Sequence, residues 1–255
     1  MSHDPNLAIW DQVKLTDQAF TKPFDAKAKG FSGTSINPTY MTHKATKLFG
    51  PIGIGWGVDV IDERYVNGSK IDEHSNVIIH VIKVELWYWY YPPRVRVRPG
   101  ETVEKVRGSI THYGSTPFVT ARKANNTVYP FTDAEAQKKS FTDATGKALS
   151  MLGFSADVYT GLYDNPEYKE EAKNKIALQN ADDKDEELAN QRREYIAWRE
   201  RTIKLLETAA SINELNILYK TALAKMTRKE DASGITRISE FRDNRESELR
   251  NKNGS

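Results

Sequence analysis

The sequence predicts an α+β protein: a three-stranded antiparallel β-sheet with one helix packed across it, followed by a helical C-terminal extension. Three observations predict it. Residues 76–91, NVIIHVIKVELWYWYY, alternate over the length of a long half-buried strand. Residues 131–163 carry Phe141, Ala144, Ala148, Leu149 and Leu152 at helical spacing on one apolar stripe. From residue 166 the composition turns to Glu, Lys, Arg, Asn and Gln, which marks a solvated helical segment. The boundary is therefore expected near Asn165, with a core over 1–165 and an extension over 166–255.

Composition narrows the function classes. With 255 residues the chain can hold one good core and an appendage. A net charge of +2 means that any nucleic-acid surface must come from local clustering of cations. No cysteine is present, which removes disulfides, thiolate metal sites and a cysteine nucleophile, and fits a reducing cytosol. The opening MSHDPNLAIWDQVK lacks the layout of a signal peptide, and no apolar run approaches the roughly 20 residues of a membrane helix. A cytoplasmic protein is expected.

The elements follow in order. Residues 1–35 read as an irregular arm, basic through Lys22, Lys27 and Lys29, whose Trp10, Phe20, Phe24 and Phe31 either anchor it to its own core or dock it on a neighbouring subunit. Residues 36–50 read as a short amphipathic helix, apolar at Tyr40, Met41, Ala45, Leu48 and Phe49 and closed by Gly50. Residues 51–66 read as a strand whose glycines, Gly53, Gly55 and Gly57, call for a sharp bend or a close approach. Residues 67–75 read as the hairpin turn, on the strength of Asn67-Gly68.

In the long strand Ile78, Ile82, Val84, Leu86, Tyr88 and Tyr90 form the core face. Lys83, Glu85, Trp87 and Trp89 form the other face, where the tryptophans face solvent, pack a subunit or stack on a ligand. Arg94, Arg96 and Arg98 follow in a loop, either a charged soluble tip or a phosphate-tracking finger. Residues 105–114 read as the third strand, with Lys105 and Arg107 opposite its core face, and 115–130 as a connector holding Arg122 and Lys123. Thr132 and Glu135 form a capping box that starts the covering helix. In the extension a helix is expected over about 186–209, and Ser211 with Glu214 caps a second one. Its stripe is Ile212, Leu215, Leu218, Tyr219, Ala222 and Leu223, and residues 227–255 are expected to be frayed.

No catalytic constellation stands out, and the protein is expected not to be an enzyme. No phosphate-binding loop is present, because Gly53-Ile54-Gly55-Trp56-Gly57 lacks a following Lys-Ser/Thr. The histidines lack metal-ligand spacing; His80 and His112 read as cross-strand neighbours. Asp59, Asp62 and Glu63 are a weak two-metal signal beside a turn. What remains is positive charge around a sheet with aromatics interleaved, the composition of a single-strand binder.

The run Lys138-Lys139-Ser140-Phe141-Thr142-Asp143, then Lys147-Ala148-Leu149 and Gly153, is similar to the signature helix of the Rad fifty-two family of single-strand annealing proteins, to which phage annealing recombinases (Erf- and Sak-like) are related. Ala45, Phe49-Gly50 and Gly55-Trp56 match further positions, so the resemblance covers roughly residues 30–160. Gly146 stands where the family has the first of two adjacent basic residues, and Lys147 where it has the second. The resemblance implies ATP-independent annealing of complementary single-stranded DNA by a ring or filament of identical subunits, without a cofactor. Family position assigns Lys138 and Lys147 to the DNA surface; local charge adds Lys27, Lys29, Arg122 and Lys123. A phage exonuclease or the host single-strand binding protein is the expected partner of the extension. A double-stranded RNA binder and an assembly protein are the alternatives from other classes.

Overall fold

Strand β4 (Asn76–Tyr90) is the centre of the sheet, and its alternation is as expected: His80, Ile82, Val84 and Leu86 are buried, with less buried residues between them. The computed structural model describes residues 4–26, 31–91, 104–125 and 127–253. Lys27, Lys29 and the Arg94–Arg98 tip lie outside the described residues. The chain divides into two compact units, 1–176 and 177–255.

In the first unit, β3 (Trp56–Lys70), β4, β5 (Val106–Ala124) and β6 (Thr127–Thr132) pair antiparallel in the order β3-β4-β5-β6. The sheet therefore has four strands, not three. The segment expected as a connector is the second half of β5 plus β6, paired from Ala124↔Thr127 to Val119↔Thr132. The arm is also ordered differently from expectation. It holds α1 (Ala8–Val13) and a separate two-stranded sheet of β1 (Thr21–Ala26) and β2 (Phe31–Ile36). Strand β3 starts later than expected, at Trp56, and runs through Asn67-Gly68; the turn lies at 71–75. Local Asn-Gly preference gives way there to the pairing of Asn67 with Ile78 across a long ladder.

Two bulges rephase the faces. Val60 opposes Val84 but Asp62 opposes Lys83, so Ile61 is extra and the odd-numbered residues beyond it join the core face. Glu63 and Tyr65 thereby reach His80: Glu63 Oε1 lies 2.9 Å from His80 Nε2, and the Tyr65 and His80 rings are 5.2 Å apart. Asp62 goes to the other face and pairs with Arg64. In β5, Ile78 opposes Val119 but Ile79 opposes Pro117, so one residue is extra at Phe118. The two expected histidine neighbours are separate, since His80 opposes Thr116 and His112 opposes Val84.

Helix α2 (Pro38–Phe49) forms as expected, capped by the Asn37 side chain on Thr39 N and closed by Gly50 at φ 104°. Met41, Ala45 and Phe49 are buried in the core with Val13, Trp56, Leu86 and Phe154. Helix α3 (Ala136–Met151) crosses β4 and β5. It starts after Asp133, whose carboxylate accepts from Glu135 N, rather than through a Thr132–Glu135 capping box. Its buried face is Ala136, Ser140, Ala144, Ala148 and Leu149, whereas Phe141 is 37% exposed. Small residues win that face because the helix backbone lies directly on Gly114 of β5. A Cβ at Gly114 would overlap the Ser140 carbonyl oxygen and come within 2.8 Å of Ala144 N.

The other sheet glycines have similar reasons. The Trp87 ring lies across Gly57, 2.6 Å from where a Cβ would stand, and Tyr88 lies across Gly108 on the opposite face. Tyr88 then stacks on Phe49, with centroids 4.7 Å apart.

A clasp joins the start of this unit to its end. Asp157, at α4 (Ala156–Tyr159), accepts hydrogen bonds from the backbone N and the hydroxyl of Thr16. Tyr163 OH donates to Thr16 O, and Lys44 Nζ donates to the carbonyls of Val13 and Leu15. Helix α5 (Pro166–Asn180) follows and runs across the division between the units.

The second unit is a three-helix bundle of α6 (Lys184–Thr208), α7 (Ile212–Arg228) and α8 (Ala232–Asn253). Ser211 and Glu214 cap α7 as expected, with Glu214 N donating to Ser211 Oγ and Ala210 N to Glu214 Oε2. The segment expected to fray is α8, which buries Ile238 and Leu249 against the α7 stripe of Leu215, Ala222 and Met226. Asp231 ties the corner: it accepts from Gly234 N, Tyr195 OH and Arg199. Burial opposes its ionisation, yet these donors hold its carboxyl down to about 2.

Two glycine substitutions should separate packing from helix propensity. Gly114→Ala must push α3 off the sheet and is expected to cost about 1–3 kcal/mol or more. Gly146, in α3, has open space within 4 Å of where a Cβ would stand, so Gly146→Ala should stabilise by roughly 0.5–1 kcal/mol. Urea midpoints of the two variants check both signs.

Lys44 gives a pH dependence. Burial lowers its pKa from 10.5 to about 8, against the opposing pull of Asp157. Above about 8 the folded lysine is neutral while the unfolded one still holds its proton, so stability should rise with pH over that window. Near 10 the trend should reverse, because burial raises Tyr163 from 10.0 to about 12 and only the unfolded tyrosine ionises. Thermal midpoints from pH 7 to 10 should show a rise in the natural chain and a flatter line in Lys44→Met.

Candidate nucleic-acid interface

The described cations of the expected DNA surface do not gather into one patch. Lys138 and Lys147 are nine residues apart on α3, which is two and a half turns and so about half a turn out of phase. Arg122 and Lys123 are neighbours on β5 and point to opposite faces of the sheet. Lys123 lies on the α3 side of the sheet, and Arg122 on the side away from it, by the register Val119↔Thr132 and Arg122↔Tyr129.

The lysines of α3 are also occupied. Lys138 Nζ lies 2.7 Å from Glu135, Lys139 Nζ 2.5 Å from Asp133, and Lys147 Nζ 2.7 Å from Asp143. The Glu135 hydrogen bond raises the pKa of Lys138 above its ordinary value, so that cation stays charged with its field largely spent on its neighbour. Surface pairs of this kind are weak, and a phosphate competes with each carboxylate on comparable terms.

On the sheet face away from α3 the cations are placed differently. Arg122 lies 3.3 Å from the centroid of the Phe131 ring. Lys83 lies over Tyr113 at 5.6 Å, Lys105 over Tyr91 at 5.1 Å, and Arg107 over Trp87 at 5.9 Å. Only Arg107 among them has a carboxylate in ion-pair range among the described residues, Glu85 at 3.7 Å. The surface expected from the sequence omits Lys83, Lys105 and Arg107. The alternation carries a signal for them, since it puts them opposite the core face, but their pairing with rings depends on the register between β4 and β5. Lys83 directly opposes Tyr113 in that register.

A groove of about 220 Å³ lies between α2 and α3, lined by Met41, Thr42, Phe141, Thr145, Gly146 and Leu149, among others. It brings the exposed Phe141 beside Gly146, where the resemblance places a basic residue. The Thr145 hydroxyl is buried there and makes no hydrogen bond. Among the described residues no three His, Asp or Glu side chains gather as a metal site, and no helix is long and apolar enough to cross a membrane. No protein-family model matches the chain, and no curated protein matches its sequence.

An unmet buried hydroxyl costs stability that an isosteric methyl does not. Thr145→Val should therefore raise stability by about 1 kcal/mol. Chemical denaturation measures it; a loss of stability would mean that the hydroxyl has a partner.

Proposed function

We propose that the protein binds single-stranded DNA and anneals complementary strands without ATP. The observation that carries this reading is the K-x-x-x-T-D-x-x-x-K-A-L run of Lys138 to Leu149, which lies on a helix crossing an antiparallel sheet, after a short helix ending in Phe49-Gly50. The resemblance implies a three-stranded sheet between those two helices, and this sheet has a fourth strand at its edge. Cations interleaved with aromatics on the sheet support the reading independently, since cations follow a phosphate backbone and rings accept bases.

The chemistry asked of the protein is modest. Lys and Arg side chains offset repulsion between two phosphate backbones and release counterions. Base pairing supplies the sequence specificity, so the protein need read only backbone. A homo-oligomer, ring or filament, extends one such surface along a strand. The 177–255 bundle is the proposed contact for a phage exonuclease or the host single-strand binding protein, and bacterial cytoplasm is the proposed location. With α8 covering the α7 stripe, such a contact uses the outer faces of the bundle, where Leu188, Ile196, Leu205 and Ile217 are exposed among charged residues.

The test is annealing of complementary oligonucleotides by the full chain, without nucleotide, over a salt series. Acceleration over spontaneous pairing that weakens with added salt is expected. Strict dependence on ATP, or no acceleration at any salt, overturns the reading.

A further inference from the structure

We propose that the sheet face turned away from α3 is a track for single-stranded nucleic acid, laid along β5 from Arg107 to Arg122. The inference rests on the reading of the chain as a single-strand binder, and it moves the contact surface from the lysines of α3 to the open side of the sheet.

Charge favours this face. The chain holds 35 acidic residues, yet none falls between Val106 and Thr132, the whole of β5 and β6. The acids on this face, Asp59, Asp62 and Glu85, stand on β3 and β4. The strands β5 and β6 thus bring no carboxylate to this face, and the acids that border the stripe are Glu85, 3.7 Å from Arg107, and Asp133 just past β6, which feels the charge of Arg122.

The cations of the face are held over rings. Arg107 and Arg122 are on one face only because the extra residue at Phe118 shifts the alternation between them. Each lies over a ring, as does Lys83 beside them. A ring face positions Lys83 and Arg122 without pairing them with a carboxylate, whereas Lys138 and Lys147 must first exchange a carboxylate neighbour for phosphate. Lys83 and Arg122 are therefore oriented and still available to phosphate, while Arg107 also has Glu85 at 3.7 Å.

Rings are exposed on the same face. Trp89 is 38% exposed, Tyr113 48% and Tyr129 40%, all on this face. Exposed aromatics beside free cations, with serine and threonine hydroxyls between them, make a sequence-tolerant surface for stacked bases. Fifteen residues separate Arg107 from Arg122, a path on the order of 50 Å along a strand, long enough for several nucleotides.

The test compares two variants of the full chain: Lys83→Gln/Arg107→Gln/Arg122→Gln on the sheet, and Lys138→Gln/Lys147→Gln on α3. Affinity for oligo(dT) and oligo(rU) is read by fluorescence anisotropy over a salt series. The triple variant is expected to bind at least roughly tenfold more weakly and to lose about 2 from the salt slope, at about 0.7 per contact. The helix variant is expected to lose less than the triple variant in both affinity and salt slope. In parallel, the natural chain is photo-cross-linked to oligo(dT) carrying 5-iodouracil, and adducts are expected on Trp89, Tyr113 or Tyr129.

If the natural chain binds neither probe in a salt-dependent way, the single-strand reading falls and this inference with it. If the natural chain binds but the triple variant matches it in affinity and slope, this inference alone is overturned. Loss of assembly mass by the triple variant with binding retained would make the face a subunit interface and overturn it too. Should the triple variant fail to fold, the cross-link map decides: adducts confined to α2, α3 or 177–255 count against the track.

Discussion

The first unit depends on the contact between the α3 backbone and Gly114. A helix ordinarily stands off a sheet by the length of its side chains. Here Ser140 and Ala144 let it descend onto a strand residue with no side chain of its own. Much follows from that descent. The large apolar residues have no room beneath the helix, so they collect beside it: Leu149 with Phe154, Phe49 and Trp56 at one end, and Phe141 at the groove edge. Tyr88, displaced from the centre, lies over Gly108 and reaches Phe49. Strand β4 buries His80, Ile82, Val84 and Leu86 there, none larger than an imidazole or a leucine side chain.

The same contact explains why one part of the fold is legible in the sequence and another is not. Helix α2, the faces of β4 and the capping box of α7 are local patterns, and each stands where its residues indicate. Apolar size is the usual sign of burial, and on α3 it misleads, because close approach selects Ala and Ser over Phe141. The fourth strand is hidden because β6, TVYPFT, contains a proline and follows a long polar stretch; it pairs at the sheet edge, where Pro130 is tolerated. Helix α8 is hidden because its charges outnumber its apolar residues; Ile238 and Leu249, with Ile235 and Phe241 partly buried beside them, find their surface only once α6 and α7 provide it.

The site is legible to a lesser degree, for a physical reason. A cation's value to a phosphate depends on what it already touches, and that is a property of register and helix phase. Lys138 and Lys147 have the right neighbours in a motif but carboxylates one turn away. Arg122 and Lys123 look equivalent as a dibasic pair, yet pleating sends one to a ring on the open face and the other to the opposite side. Single-residue bulges at Ile61 and Phe118 decide which charges share a face, and neither bulge leaves a mark in composition.

The clasp around Thr16 bears on the order in which the unit is completed. The strands β3 to β6 pair with their neighbours in sequence, so the meander closes short loops and can form while the chain is still growing. The Thr16–Asp157 bonds close a separation of 141 residues, at an entropic cost that grows only slowly with loop length but that nothing offsets until both partners exist. Val13 can pack on α2 before then, whereas the Trp10 ring, which lies against Gly153, has no partner there until the end of α3 is in place. The segment from Trp10 to Thr16 is thus among the last parts of the unit to be seated, although α2, β3 and β4 that receive Val13 come well before α4 in the chain.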